Sequence, residues 1–355
     1  MAADKLRVIQ WNTGKVGKLA MRGVLDDPRT ELVGVYAWSD EKAGKDAGKL
    51  CGRPDTVTGV TATSDIDALI ATGADTVLYT PFEANVDHAV RLLEAGMDVV
   101  STNLFLNVGG VVGEVKDRLE AACQKGNSSI YITGVNPGWV NSMAAAATAV
   151  CRDVRYVGTI ETADCSVYES VETWGFLGMG EPAGNEEELM GRARDWLILF
   201  RDVVVRIGDA LGIAFDDIEF FCDYAHASED VDLGWFKMAK GTNAALNGGW
   251  NGKVGGETVV QMRVIWFLTK LLDKDWHLDD DQHKIEVRGD PDVDMKVRYT
   301  PPPHWKNHDW DTMTAMPAVN ALFQIRDARP GVLGLHDVGL PFAPVGVWMK
   351  DRAGG

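Results

Sequence analysis

The chain has 355 residues, long enough for two domains and for a core that needs no disulfide or metal staple. Hydrophobic residues make up 46% and charged residues 25%, ordinary for a globular protein, but 52 acids against 35 bases leave a formal net charge of −17. Such a polyanion repels a phosphate backbone and an anionic bilayer, which argues against nucleic-acid and membrane-surface partners, yet a small anion can still be held by local dipoles.

In chain order, Leu6 to Trp11 is a short apolar run that reads as a buried strand, too brief for a signal-peptide core. Asn12-Thr13-Gly14-Lys15-Val16-Gly17 follows, and a helical pattern begins, with Leu19, Met21, Val24 and Leu25 apolar and Asp27-Pro28 as its stop. Glu31 to Tyr36 is a second strand, followed by the Gly- and Lys-rich loop from Lys42 to Gly48. Ser64 to Ile70 opens as a capped helix with acids in its first turn. Asp75 to Thr80 is a strand ended by Pro81, Asn85 to Leu93 a helix, and Asp98 to Thr102 a strand. Val111 to Gln124 is a helix, and Ile130 to Thr133 a strand running into Gly134-Val135-Asn136-Pro137-Gly138. Repeated βα units with short connections predict a doubly wound parallel sheet with helices on both faces, an α/β domain over residues 1–140.

The second half reads as α+β with a mainly antiparallel sheet. Tyr156 to Tyr168, Ile218 to Ala225 and Thr258 to Leu268 are β-rich, and Ile285 to Arg288 pairs with Met295 to Tyr299 across the Gly289-Asp290-Pro291-Asp292 turn. Leu189, Ala193, Trp196, Leu197, Phe200, Val203, Val204, Ile207 and Leu211 form one apolar helical stripe. These elements predict a substrate and dimerisation domain over 141–311, whose sheet buries its apolar face in a homodimer. A last helix, Thr312 to Arg326, and the segment to residue 355 are expected to pack back on the first domain.

No apolar stretch approaches the ~18 residues of a membrane span. The five cysteines, at 51, 123, 151, 165 and 222, form no CxxC pair, which favours free thiols in a cytoplasmic protein; inert buried thiols are the commoner case than a catalytic one. No metal is expected. His304 and His308 have ligand spacing but follow three prolines, and the acids at 290, 292 and 294 lack the glycine and glutamate of a calcium loop. His336-Asp337 reads as structural.

The glycine turn is the chemical signal. A dinucleotide fingerprint reads GxGxxG between the first strand and helix; here Asn12 stands at the first glycine, Gly14 allows close backbone approach to a diphosphate, and Gly17 allows the helix to pack on the strand. Asn12, Thr13, Gly14, Lys15, Val16 and Gly17 are therefore cofactor-binding candidates. At the end of the second strand Ser39 and Lys42 suit a 2′-phosphate, which favours NADP with NAD accepted, although Asp40 could serve a ribose diol. Ligands bind outside the carboxyl ends of the strands, which adds Thr80, Pro81, Thr102, Asn136 and Pro137 around the nicotinamide. The cofactor carries the hydride, but a proton donor or acceptor is still required. Asn103, Glu161 and Tyr168 are the catalytic candidates, with Asn107, Asp164 and Glu169 behind them.

The stretch Val8 to Gly17 resembles the N-terminal domain of dihydrodipicolinate reductase-like proteins. Lys45-Asp46-Ala47-Gly48, Val99-Val100-Ser101-Thr102 and Gly134-Val135-Asn136-Pro137-Gly138 are similar to the branch holding 2,4-diaminopentanoate dehydrogenase and the native NAD(P)H-dependent amine dehydrogenases. The resemblance implies a Rossmann domain with an α+β domain that dimerises through its sheet, and hydride transfer to or from a C=N or C=O carbon. The His-His and Lys motif of true dihydrodipicolinate reductases is not found. The glutamate that amine dehydrogenases place after strand five is also missing, because Asn103-Leu104-Phe105-Leu106-Asn107 contains no acid. Two alternatives follow: a cofactor-binding protein without turnover, or a ketone or enamine reductase that does not use ammonia.

Overall fold

The computed structural model describes residues 5–103, 113–278 and 282–343. In chain order its strands are β1 Leu6–Trp11, β2 Thr30–Tyr36, β3 Ala62–Thr63, β4 Thr76–Tyr79, β5 Asp98–Ser101, β6 Ser129–Ile132, β7 Asp153–Asp164, β8 Asp217–His226, β9 Val231–Asp232, β10 Lys237–Met238, β11 Asn243–Val254, β12 Glu257–Phe267, β13 Gln282–Asp290, β14 Val293–Arg298 and β15 Gly331–Leu333. They fall into two compact units: the described residues up to Trp139 with those from Pro303 onward, and Val140–Pro302.

The first unit is a seven-stranded sheet in the order β15-β6-β5-β4-β1-β2-β3, with every pairing parallel. Both faces are buried, as a parallel sheet requires. Val8, Leu78, Val100 and Tyr131 join the core formed with the helices Lys15–Asp26 and Thr312–Arg326, while the alternating residues Ile9, Val77, Val99 and Ile130 are equally buried. Strand order reverses between β1 and β4, the switch point of a doubly wound sheet.

Local chemistry sets the connections. Asp46 explains the Lys45-Asp46-Ala47-Gly48 loop: its carboxylate accepts from Gly48 N at 2.8 Å, Thr58 Oγ1 at 3.0 Å and Gly59 N at 2.9 Å, pinning residues a dozen apart. A Cβ at Gly48 would overlap the Thr56 carbonyl. Asp65 caps the helix Ile66–Ile70, as the acid-led opening from Ser64 predicts, and Asn85 caps Val86–Glu94.

The second unit is built on a six-stranded mixed sheet, β14-β13-β7-β12-β11-β8, antiparallel except for the β12–β7 pair, with a small β10-β9 ribbon beside it. Two features depart from the sequence pattern. The stripe from Leu189 to Leu211 is not one helix but Glu186–Trp196 and Arg201–Leu211, joined by a 3₁₀ turn over Leu197–Phe200. Trp250 Nε1 donates to the Leu197 carbonyl at 2.8 Å and so takes an acceptor from the helix ladder at the break. The second departure is β11, which carries three asparagines and three glycines, residues of low strand propensity, at 243, 247, 248, 249, 251 and 252. These glycines are spatial requirements. A Cβ at Gly252 would meet Val204 Cγ1 at 2.6 Å and the Phe215 ring, and one at Gly249 would overlap the Met262 carbonyl.

Two stability predictions follow. Gly17→Ala should cost about 3 kcal/mol by overpacking against backbone, and Gly14→Ala, whose new methyl meets nothing within 4 Å, about 1 kcal/mol or less; melting temperatures of the pair test this. Burial pushes the Asp46 carboxyl up, but the hydrogen bonds from Gly48, Thr58 and Gly59 outweigh it and hold the group below its ordinary range. A depressed carboxyl stabilises the fold above the unfolded value of about 3.9 and loses that contribution as pH falls through the folded value. The melting difference between wild type and Asp46→Ala should therefore be full at neutral pH and shrink in acid.

Candidate active site

At the switch point, one buried amide organises the turn. Gln10, fully buried, donates through Nε2 to Asn12 O at 2.9 Å and Thr80 Oγ1 at 2.8 Å, and Thr80 Oγ1 donates to Trp11 O at 2.9 Å. The carboxyl ends of β1 and β4 are thus tied together beneath the glycine turn. Asn12 takes a left-handed backbone, φ 71°, which explains an asparagine at the first glycine position: among residues with a Cβ, asparagine tolerates this region well. Gly17 lies against the same knot, where a Cβ would overlap Asn12 O and stand 2.8 Å from Thr80 Oγ1.

Above the turn the surroundings are open. Gly14 caps the helix Lys15–Asp26 with no side-chain hydrogen bond, and no acid occupies the first turn. The helix therefore presents N–H groups and the positive end of its dipole to an anion. The Lys42 ammonium reaches over the turn, 3.5 Å from Thr13 O. Asn12 Oδ1 and Ser39 Oγ are buried and have no partner among the described residues, so both retain hydrogen-bonding capacity for a ligand. These features fit a dinucleotide: a diphosphate on the helix end, with polar groups and a cation at the ribose.

The other side of the β1 end is aromatic. Trp11 and Tyr36 stack at 4.1 Å with an interplanar angle of 8°, and His88 meets both edge-on. Burial, reinforced by Arg91 and opposed by Asp87, lowers the His88 pKa. Burial pushes Tyr79 up to about 12, and its hydroxyl donates to Asn85 O at 3.1 Å and accepts from Asn85 N at 3.0 Å, bracing the loop after β4. This wall was not apparent from spacing; its only sequence signal is an aromatic at the last position of β1, β2 and β4.

Asn103 belongs to the same edge. Its Nδ2 donates to Pro81 O at 2.7 Å and to Phe82 O, while Ser101 Oγ donates to Asn103 O. Its amide therefore links the loops after β4 and β5, a positioning task. Thr80 and Pro81 are buried and Thr102 half-buried at these ends. Asn136 and Pro137 lie in the turn after β6, where Gly138 takes φ 143° and a Cβ would stand 2.9 Å from Thr133 Oγ1. Asn107 and the other acid-free loop residues after Asn103 lie outside the described residues.

Glu161 and Tyr168 belong to the second unit. Glu161, on β7, accepts from Trp266 Nε1 at 3.0 Å through Oε1, and its Oε2 lies 3.1 Å from His283 Nε2. The Tyr299 hydroxyl is 3.2 Å from His283 Nδ1. His283 is buried, and burial together with the charge of Glu161 pushes the Tyr299 hydroxyl upward. Tyr168 is half-exposed and meets Trp174 edge-on at 6.0 Å, and Trp174 meets Trp266 at 6.2 Å. Asp164 caps the turn after β7 through Ser166 N. Trp266, His283 and Tyr299 are the partners of this candidate group that the sequence did not reveal, since nothing local marks them.

Other candidates resolve as structural. Asp337 accepts from Arg329 and from Gly334 N. A cavity of about 500 Å³ beside the helix Lys15–Asp26 is walled partly by Arg22, Asp26 and Arg53, groups engaged with one another or with the Cys51 carbonyl. Among the described residues no three histidines, cysteines or acids are grouped to hold a metal, and no helix is long and apolar enough to cross a membrane.

No family model matches the chain. Over 350 residues it is 26% identical to the amine dehydrogenase of Streptomyces virginiae, covering 94% of this chain and 96% of that protein. Over 114 residues, 32% of this chain and 40% of the relative, it is 29% identical to the 4-hydroxy-tetrahydrodipicolinate reductase of Burkholderia ambifaria. The solved amine dehydrogenase of Mycobacterium smegmatis aligns with a TM-score of 0.73 at 16% identity, covering 96% of this chain and 98% of that one. The WlbA dehydrogenase of Bordetella pertussis, solved with NADH and UDP-GlcNAcA, gives 0.53 at 14% identity, covering 100% and 98%. The chain is thus a homologue of an amine dehydrogenase over most of its length and shares the fold of a solved one, which supports an oxidoreductase.

Burial, with smaller contributions from neighbouring acids, pushes the Cys123 and Cys222 thiols up to about 12. Neither should alkylate with iodoacetamide at pH 8 in the folded protein, as mass spectrometry of the native and unfolded chain would show.

Proposed function

We propose that the protein is an NAD(P)-dependent oxidoreductase that moves a hydride to or from the C=N or C=O carbon of a small amine, imine or ketone. One observation carries the reading: at the switch point of a doubly wound sheet, an uncapped, acid-free helix end faces open space over Gly14. Full-length similarity to an amine dehydrogenase supports the substrate class.

The N–H groups of the first helical turn would hold the diphosphate, with Asn12, Thr13, Gly14, Lys15, Val16 and Gly17 forming the cradle. Ser39 and Lys42 would take the 2′ end of the ribose, favouring NADP while NAD is accepted. Thr80, Pro81, Thr102, Asn136 and Pro137 would line the nicotinamide end. When bound, the nicotinamide ring accepts or supplies the hydride. In the amine direction the substrate carbon gives up hydride and the nitrogen one proton; the resulting C=NH₂⁺ takes up water to give C=O and ammonium. Asn103, Glu161 and Tyr168 are the polar groups proposed to act on the substrate. Dispersed free thiols favour the cytoplasm, and a homodimer through the second unit's sheet is part of the same reading.

A second reading has its own support. The loop Asn103 to Asn107 carries no acid, and the Asn103 amide is engaged with Pro81 and Phe82, which suits a carbonyl or enamine reductase that needs no ammonia. Ammonia-independent turnover would favour it.

Fluorescence titration should show NADPH and NADH binding, NADPH the more tightly. Gly14→Val should weaken both by about tenfold or more while costing the fold only about 1 kcal/mol, because its side chain enters space that the protein leaves open. Lys42→Ala should weaken NADPH selectively. Failure of both cofactors to bind at millimolar concentration would overturn the reading.

A further inference from the structure

The second unit holds an ordered, charged constellation that the cofactor turn does not use. On adjacent strands the register places Val264 opposite Glu161 and Glu161 opposite His283, with Trp266 two residues beyond Val264 on the same face of β12. An ionised Glu161 with a neutral imidazole has one consistent hydrogen-bond assignment: Tyr299 O–H donates to His283 Nδ1, and His283 Nε2–H donates to Glu161. Trp266 Nε1–H is the third donor in the chain. In that assignment three donors converge in sequence on the carboxylate and fix the direction of its oxygens.

Its surroundings suit an organic cation. The Glu161 side chain is 19% exposed, so a solute can reach it. Trp266 meets Trp174 and Phe200 edge-on at 6.2 and 6.0 Å, and Tyr168 extends the run. Val167, Tyr168 and Val171 add exposed apolar surface in the segment after β7. An oriented carboxylate beside aromatic rings attracts an ammonium by charge and ring quadrupole, and holds its alkyl body by apolar contact.

We propose that Glu161 binds the ammonium or iminium group of a small primary amine, held in place by Trp266 and by His283 with Tyr299 behind it. The use made of the bound amine rests on the function proposed above; the binding does not. His283 acts as a positioning residue.

Calorimetric titration of the full chain with cyclohexylamine and cyclohexanol at pH 7.5, with and without NADP⁺, tests the proposal. The amine should bind about tenfold or more tightly than the alcohol. Glu161→Gln should abolish that preference. His283→Ala should reduce it, and His283→Gln, whose amide N–H can replace Nε2–H, should restore it. Binding of NADPH should be the same in every variant. Equal affinity for amine and alcohol in the wild type, or a preference retained by Glu161→Gln, would overturn the proposal. If Glu161→Gln fails to fold, the wild-type amine-to-alcohol ratio decides. Loss of all cofactor binding would remove the oxidoreductase reading and leave the amine preference to be judged independently.

Discussion

The buried Gln10 amide is the constraint on which the first unit's site depends. A primary amide taken out of water must recover its hydrogen bonds. The Gln10 Nε2 group does so by joining the carbonyl of a left-handed Asn12 to the hydroxyl of Thr80. That knot closes the carboxyl ends of β1 and β4, and it fills the space in which a Cβ at Gly17 would sit. The helix is therefore drawn against the sheet, with its first turn at the surface and its N-terminus uncapped. One buried side chain thus sets the turn, the helix approach and the anion-binding end.

The second unit obeys a different constraint. Its central strands pack against helices, and β11 meets that demand by shedding side chains at Gly248 and Gly252, which face Leu197 and Val204. Trp250 occupies the room left between them and anchors the helix break at Leu197. The same sheet face continues to Glu161 and His283. Close packing keeps His283 buried and its contacts with Glu161 and Tyr299 fixed, while Glu161 keeps partial exposure.

Much of this was legible in the sequence. β1, β2, β4, β5 and β6 are short apolar runs punctuated by glycine, proline and capping residues, so local chemistry marks them, whereas β3 and β15, of two and three residues, are too short to leave such a signal. Glu161 was picked out by its place on the first strand of the second unit. What escaped is non-local. β11 carries no local strand signal because its glycines answer to neighbours such as Phe215 and Met262. The stripe to Leu211 reads as continuous because periodicity cannot see an indole from another strand. His283 lies 122 residues beyond Glu161, and no spacing rule connects them. Asn12 reads as a departure from the fingerprint until its backbone is known.

The account therefore turns on whether the knot beneath Gly14 serves a dinucleotide. A crystal structure of the full chain with NADP⁺ tests this most directly. The account predicts the diphosphate on the backbone N–H groups at the start of the helix Lys15–Asp26, with the 2′-phosphate near Ser39 and Lys42. A dinucleotide bound elsewhere, with the glycine turn empty of phosphate, would contradict it.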